Sequence, residues 1–330
     1  MANIYHEDAG DLNVLKGKAV SVLGYGNQGS AQAQNMRDSG VKVVVGNVRD
    51  AYFDKAVADG FETYDIAGAV KHADYHVLLI TDEIMPRVFD GDIAPHLKPG
   101  QAIVVSSGYN VTYDFLRYPA SVDVLMIAPR TIGTAVRKSY LSGRGFASLV
   151  GVHHDATGQA KAVMLALAKA IGTLKGGAVE SSCDEETFCD LFNEQSGGLY
   201  AFRRAAEILV EAGISPEAAI LEFWASGELS DVAEVMQSYG LFGQIKYHSQ
   251  TSQYGQQVTG RLSPEDEEAE RNRLRGILAR IKDGTFAKEW TLEQQAGYPT
   301  LKRVFQQNMS HPISVEEERL LRAMGVWKGA

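Results

Sequence analysis

The strongest constraint on the fold is a glycine-rich turn between a predicted strand and a predicted helix. Residues 18–23 form an apolar run, and the next six residues, Gly24-Tyr25-Gly26-Asn27-Gln28-Gly29, have the spacing GxGxxG. The first glycine permits a tight turn, the second lets the backbone approach a pyrophosphate, and the third lets the helix pack on the strand. The helix N-terminus offers N–H groups to phosphates. The turn therefore predicts a dinucleotide-binding fold with all six residues at the cofactor.

Short apolar runs continue along the first half of the chain. They lie at residues 41–45, 77–80, 102–105 and 124–127, with a candidate last strand at 146–152. Such runs, separated by helical or loop segments, are typical of a parallel sheet buried on both faces. After about residue 155 we expect no strands, and helical patterns cover 160–171, 184–212, 216–236, 264–283 and 314–324.

The sequence therefore predicts an α/β fold of two domains. Residues 1–180 form a Rossmann-type, NAD(P)-binding parallel-sheet domain, and residues 181–330 form an all-α domain.

Composition excludes several classes of protein. The 330 residues include 41 Asp and Glu against 32 Lys and Arg, so the net charge of −9 argues against a nucleic-acid binder and against anionic membranes. No apolar run approaches the ~18 residues of a membrane span, and the acidic start is not typical of a signal peptide. Cys183 and Cys189 suggest neither a disulfide framework nor a zinc site. We expect a cytoplasmic protein that acts on a small molecule.

Cofactor preference depends on the residues after the second strand, where the adenosine ribose is recognised. Arg49 would favour the 2′-phosphate of NADPH, whereas Asp50 would favour the free 2′-hydroxyl of NADH. The two neighbours leave both cofactors open. No Ser or Thr lies between residues 47 and 55 to help bind a phosphate, so we expect NADH.

A second chemical signal is the pair of carboxylates at Asp190 and Glu194. Four residues apart on a helix, they share one face and repel each other. Mg²⁺ prefers carboxylate and water oxygens, so this pair is the predicted metal site. The alternative is a solvated acidic helix face.

These features occur among motifs that resemble the ketol-acid reductoisomerase (acetohydroxyacid isomeroreductase) family, in its short-chain class, over nearly the whole chain. The motifs include GYGNQG at 24–29, ITDEIMP at 80–86, LKPG at 97–100, SGYN at 107–110, EETFCDLFNEQ at 185–195 and DGTFAKEW at 283–290, of which the DLFNEQ and GTFAKEW strings are specific. The resemblance implies a Rossmann domain, a knotted helical C-terminal domain, and a homodimer or higher oligomer formed through the helical half. It also implies a Mg²⁺-dependent alkyl migration followed by reduction with NAD(P)H.

The chain departs from the family pattern at chemically important positions. Ser107 stands where the family has His, and Arg130 where it has Lys. The family has two later carboxylates four residues apart; Glu222 matches the first, but Ser226 stands at the second. Glu228 is nearby, but on a regular helix six residues would turn it ~120° away from Glu222.

The resemblance assigns roles to specific residues. It implies catalytic roles for Asp190, Glu194, Ser107, Arg130 and Glu222, substrate contacts for Glu194, Glu222, Ser226 and Ser249, and cofactor contacts for Asp82, Ser107 and Gly133 besides the glycine turn, Arg49 and Asp50.

The departures favour reduction over migration. Migration needs two metals, one carboxylate is missing, and Arg130 stays protonated. We therefore expect an NAD(P)H-dependent reductase of a small 2-keto or 2-imino acid, or a related carbonyl or imine, in a specialised biosynthetic pathway, with isomerase activity weakened or lost. One alternative is a working Mg²⁺-dependent ketol-acid reductoisomerase of branched-chain amino acid biosynthesis. The other is a non-catalytic nucleotide-binding or regulatory protein on the same scaffold.

Overall fold

The computed structural model describes residues 2–329, which form two compact units. The first unit ends at Asp190 and the second begins at Leu191, so the division falls within one helix, Cys183–Gln195. The domain ranges taken from the sequence, 1–180 and 181–330, stay a prediction. No helix among the described residues is long and apolar enough to cross a membrane.

A nine-stranded sheet forms the centre of the first unit. The strands are β1 (Ile4–Tyr5), β2 (Ala19–Leu23), β3 (Lys42–Gly46), β4 (Glu62–Tyr64), β5 (Tyr75–Leu78), β6 (Ala102–Val105), β7 (Asp123–Pro129), β8 (Ser148–His154) and β9 (Ala178–Glu180). Their order is β1-β9-β8-β7-β6-β5-β2-β3-β4. The six strands from β4 to β7 are parallel and have the order of a dinucleotide-binding sheet, while β8 runs antiparallel to β7.

Helices cover both faces of this sheet. They are α1 (Asn27–Asp38), α2 (Ala51–Ala58), α3 (Ile66–Lys71), α4 (Met85–Val88), α5 (Tyr109–Thr112), α6 (Gly133–Leu141) and α7 (Ala160–Ile171). Successive residues of a strand point to opposite faces of the sheet. In β2, Val20 and Val22 therefore join the core under α1 and α7, whereas Leu23 joins the core under α3. Burial on both faces explains the continuous apolar runs.

The second unit is entirely helical. After α8 (Cys183–Gln195), its helices are α9 (Gly198–Glu211), α10 (Pro216–Ile220), α11 (Glu228–Tyr239), α12 (Gln250–Tyr254), α13 (Pro264–Lys282), α14 (Thr285–Gln295), α15 (Pro299–Met309) and α16 (Pro312–Ala323). Side chains of Ser215 and Ser263 cap α10 and α13, each of which begins with proline. The predicted fold class, a Rossmann-type sheet domain followed by helices, is confirmed.

Shorter helical turns complete both units. Glu7–Ala9, Leu12–Leu15, Ala94–His96, Thr173–Lys175 and Gly243–Tyr247 are 3₁₀ turns, and Phe89–Ile93, Leu221–Ala225 and Gly255–Thr259 are π-helical.

Several predicted elements need correction. The helix predicted at 184–212 is broken at Gly197, whose φ of +95° is left-handed. The helix predicted at 216–236 contains the π-helical turn and a break at Gly227, with a φ of +91°. A strand, β9, lies beyond residue 155, where none was predicted. Helices α14 and α15 were not predicted.

The middle of the sheet contains a buried histidine. The side chain of His76 is fully buried in β5, and its Nδ1 lies 2.8 Å from the Ser21 hydroxyl on β2. Burial lowers the pKa of His76 to about 4, although Gln101 and Asp74 oppose the shift. The imidazole is therefore neutral at pH 7.

We predict that His76 makes folding stability depend on pH. Its pKa is lower in the folded protein than the ~6.5 of an unfolded histidine, so its contribution is complete above pH 6.5 and is lost as the pH falls toward 4. Between pH 7.5 and 5.0 the loss should be about 2 kcal/mol. Denaturant unfolding of the wild type and of His76→Gln, which cannot titrate, measures it.

The variant should lose less stability than the wild type over that interval. His153→Gln, at an exposed histidine, is the control and should keep the wild-type pH dependence. If the free energy of unfolding depends on pH equally steeply in His76→Gln and the wild type, the prediction is contradicted.

Candidate active site

The predicted site residues of the first unit lie at one edge of the sheet. Gly24 follows β2, Asp82 lies just beyond β5, Ser107 beyond β6, and Arg130 directly after β7. These are the carboxyl ends of parallel strands. In a doubly wound sheet, ligands bind in the crevice at these ends, where the strand order reverses.

Packing explains two of the three glycines in the turn. Gly24 has a φ of +97°, and a Cβ there would lie 2.5 Å from the Leu79 carbonyl oxygen. A Cβ at Gly29 would lie 1.9 Å from the Gly24 carbonyl oxygen. A Cβ at Gly26 would meet no protein atom within 4 Å. The fold therefore requires Gly24 and Gly29, whereas Gly26 faces open space.

Tyr25 is held by the protein itself. Its N–H donates to the side-chain oxygen of Asn47 at 2.9 Å, and its hydroxyl donates to Asp59 at 2.8 Å. The ring is fully buried and packs edge-on against Phe61. Its side chain is thus directed into the core, so a contact with cofactor is left to the Tyr25 backbone.

The start of α1 packs against the start of α6. A Cβ at Gly133 would lie 2.1 Å from the Asn27 carbonyl oxygen, so the two segments approach as closely as glycine allows. The Gln28 side-chain amide donates to the Thr131 carbonyl at 2.8 Å. The residues predicted to bind cofactor at Asn27, Gln28 and Gly133 are therefore brought together.

Asp50 and Arg49 occupy the segment that follows β3. One carboxylate oxygen of Asp50 accepts from the N–H groups of Tyr52 and Phe53, at 2.9 and 3.0 Å, and caps α2. The Arg49 guanidinium lies 4.9 Å from the centre of the Phe53 ring. A negative charge thus stands at the N-terminus of α2.

Asp82 is a partly buried carboxyl group at this edge of the sheet. Its carboxylate accepts from the Asn110 side-chain amide at 3.0 Å. Burial, and next the charges of Glu186 and Glu83, raise the pKa of Asp82 to about 6. The group can therefore hold a proton near neutral pH.

A buried carboxylate organises the other side of the site. The Glu186 side chain is 1% exposed; one oxygen accepts from the Gly108 N–H at 2.7 Å and the other from Arg130 at 2.6 Å. A second nitrogen of the Arg130 guanidinium donates to Asp190 at 3.0 Å. Burial raises the pKa of Glu186, while the Gly108 N–H and Arg130 oppose the shift.

Ser107 has a local role in the same segment. Its hydroxyl accepts from the Tyr109 N–H at 3.3 Å, at the start of α5. It lies one residue before Gly108, where the buried carboxylate is held.

The side chains around Asp190, in the positions that the structure gives them, do not form a Mg²⁺ site. Among residues 2–329 no group of three or more His, Cys, Asp or Glu side chains is placed to hold a metal ion. Asp190 is paired with a guanidinium, which supplies the positive charge that a metal would bring. Glu194 lies four residues further along α8, in the second unit.

The other predicted residues lie in the second unit. Glu222 is exposed within the π-helical turn Leu221–Ala225. Ser226 is exposed and its hydroxyl accepts from the Glu228 N–H at 3.3 Å. The Ser249 hydroxyl accepts from the Ser252 N–H at 3.3 Å and caps α12.

The helix between Glu222 and Glu228 is irregular. After the π-helical turn, Gly227 is left-handed, and α11 begins at Glu228. The ~120° rotation calculated for a regular helix therefore does not apply. The geometric argument against Glu228 as the second carboxylate is removed.

Comparison with known proteins decides the family. A model described as "Acetohydroxy acid isomeroreductase, NADPH-binding domain" matches residues 14–177, and "Ketol-acid reductoisomerase, C-terminal domain" matches residues 183–327. The chain belongs to the ketol-acid reductoisomerase family. The predicted resemblance and enzyme class, an NAD(P)H-dependent oxidoreductase, are confirmed.

Individual relatives match over nearly their full length. "Putative ketol-acid reductoisomerase 3" of Saccharolobus solfataricus is 43% identical over 95% of this chain and 96% of its own. "Ketol-acid reductoisomerase (NADP(+))" of Caldivirga maquilingensis is 39% identical over 98% and 99%. The solved structure of an NADH-preferring ketol-acid reductoisomerase from an uncultured archaeon has a TM-score of 0.90 and 33% identity, covering 99% of this chain and 100% of that one.

Three residues that contact the candidate site were not among the predicted ones. Glu186 lies four residues before Asp190, so helical spacing could have placed both on one face. Asn47 directly follows β3, and Asn110 ends the SGYN motif. Each directs a neighbour: Asn47 fixes the glycine turn and Asn110 binds Asp82.

We predict that Gly26→Ala weakens cofactor binding without weakening the fold. The added methyl group meets no protein atom, and the φ of −71° suits alanine, but it occupies the space that a pyrophosphate would approach. The Kd for NADH should rise at least about tenfold, or ~1.4 kcal/mol. Fluorescence titration measures the Kd and thermal unfolding measures the Tm.

Gly29→Ala is the comparison variant, and it should lower the Tm because its methyl group collides with the Gly24 backbone. An unchanged Kd for Gly26→Ala, with normal folding, would remove the predicted role.

Proposed function

We propose that this protein is a working ketol-acid reductoisomerase, which rearranges a 2-hydroxy-3-keto acid and reduces the resulting 2-keto acid with NAD(P)H. The observation that carries the proposal is the match over 95% or more of the chain to relatives with that name. This match supports the alternative from the sequence better than the main expectation of weakened or lost isomerase activity.

The residues at the sheet edge suit the reduction. The glycine turn would bind the pyrophosphate, which would place the nicotinamide toward the ends of β5, β6 and β7. Hydride transfer to a carbonyl carbon leaves an oxygen that needs a proton. Asp82, with a pKa of about 6, is suited to hold that proton near neutral pH.

Reduction without migration is the second candidate. It is favoured by Arg130, which already pairs with Asp190, and by Ser226 at the position of a family carboxylate. A Mg²⁺ ion at Asp190 and Glu194 requires that Arg130 move off Asp190. The second candidate needs no such movement, because the cofactor itself supplies the hydride.

We predict that 2-acetolactate and its rearranged isomer, 3-hydroxy-3-methyl-2-oxobutanoate, both oxidise NADH or NADPH and both yield 2,3-dihydroxyisovalerate. Absorbance at 340 nm and chromatography of the product, with and without Mg²⁺, measure this. Turnover of the rearranged isomer alone would establish the second candidate. Turnover of neither would overturn the proposal and leave two readings, reduction of another 2-keto or 2-imino acid and the non-catalytic alternative.

Matched variants separate the two steps. Because the helix is irregular, we propose that Glu228 supplies the second carboxylate beside Glu222. Glu228→Gln should then reduce turnover of 2-acetolactate at least about tenfold more than turnover of the rearranged isomer. Glu234→Gln, an exposed residue of α11, is the control and should change neither.

We propose NADH as the preferred cofactor. Asp50 places its charge at the N-terminus of α2, where it would repel a 2′-phosphate. The structure with a TM-score of 0.90 is of an NADH-preferring enzyme, although other relatives are named for NADP(+).

We predict that Asp50→Asn shifts the preference toward NADPH. Asparagine caps a helix as well as aspartate but carries no charge, so folding should be preserved. The ratio of kcat/KM for NADPH to that for NADH should rise about tenfold. Asp54→Asn, an exposed residue of the same helix, is the control. An unchanged ratio for Asp50→Asn would show that its charge does not select the cofactor.

A homodimer through the helical unit is part of the proposal. Large apolar side chains are exposed in this unit, including Leu199 at 84%, Phe242 at 73% and Leu241 at 63%. These exposed apolar side chains are the feature of the helical unit that supports an interface. The cytoplasmic location remains a prediction from the sequence.

A further inference from the structure

Arg130 is held differently from a simple surface arginine. Its N–H donates to the Ala147 carbonyl at 3.0 Å directly after β7, which fixes where the side chain begins. Its guanidinium then bonds Glu186 and Asp190 through two different nitrogens. A planar guanidinium can serve two carboxylates at once, whereas the ammonium of a lysine acts as a point charge.

Glu186 is the fixed end of this triad. Its side chain is 1% exposed, and its two oxygens are divided between the Gly108 N–H and Arg130. A buried carboxylate that loses its cation is strongly destabilised. Arg130 therefore cannot leave Glu186 easily, and Glu186 keeps the guanidinium beside Asp190.

Asp190 is the open end. Its side chain is 46% exposed, against 33% for Arg130, so a solvated ion can reach the carboxylate. One of its oxygens is already bonded to the guanidinium at 3.0 Å. A divalent cation at this carboxylate would stand close to a fixed positive charge, with one carboxylate shared between the two.

We propose that Arg130 is a resident counter-ion of Asp190, so that a divalent cation binds Asp190 only in competition with the Arg130 guanidinium. The inference rests on the proposed function in one respect, because the family resemblance is what assigns a metal to Asp190. Arg130 then sets the concentration of divalent cation that is needed to occupy Asp190. Glu186 is the residue that positions Arg130.

The test measures Mn²⁺ binding to the metal-free full-length protein by electron paramagnetic resonance, with Mg²⁺ as competitor and no substrate. Arg130→Gln alone would leave Glu186 buried without a cation, so the variant is Arg130→Gln combined with Glu186→Gln. The pair leaves the net charge unchanged. We expect the Kd for Mn²⁺ to be at least about tenfold lower in the double variant than in the wild type.

Two further variants locate the effect. Addition of Asp190→Asn to the double variant should abolish the gain. Arg137→Gln removes another arginine of the same unit, which pairs with Asp38 at 2.6 Å, and should leave the Kd unchanged. Circular dichroism spectra identify any variant that fails to fold.

The outcomes separate this inference from the proposed function. Equal affinity in the wild type and the double variant, no binding to either, or a gain that survives Asp190→Asn would each overturn it. The binding test is independent of turnover. If the enzyme converts 2-acetolactate but the wild type and the double variant bind Mn²⁺ equally, only this inference is contradicted. Absence of turnover beside a tenfold gain contradicts the proposed function alone.

Discussion

The carboxylate of Glu186 joins three segments that are distant in sequence. It binds the Gly108 N–H after β6 and Arg130 after β7, and it is itself part of α8. The close approach requires glycine, since a Cβ at residue 108 would lie 2.2 Å from the Cys183 carbonyl oxygen. A charge buried this deeply must be paired and hydrogen-bonded. That demand fixes the first turn of α8 against the edge of the sheet where the cofactor turn, Asp82 and Arg130 also lie.

Much of the first unit could be predicted from the sequence because its signals are local. A strand buried on both faces appears in the sequence as a continuous apolar run. The spacing of the glycines predicts the tight turn between strand and helix. The second unit was harder. Apolar periodicity continues across Gly197 and Gly227, but the left-handed backbone at each ends the helix. Strand β9 has three residues, too few to stand out as a run.

In the candidate site, too, some features could be predicted from the sequence and others could not. Residues placed by the ends of strands, such as Gly24 and Asp82, were identified, because strand ends are visible in sequence. The contacts of Arg130 were not, because Glu186 is 56 residues away and Asp190 is 60. From the sequence alone, Arg130 indicated only a position that stays protonated. In the fold, its charge is already opposed by two carboxylates.

The close packing of Asn27 against Gly133 has an electrostatic consequence. It brings the first turns of α1 and α6 together, and each helix carries a partial positive charge of about half a unit at that end. Two such ends side by side act on one bound anion with roughly the field of a full cation, although no lysine or arginine is needed. Backbone dipoles cannot be deprotonated and do not move. Attraction of this kind therefore persists across the whole pH range of folding, and weakens only as dissolved salt screens it.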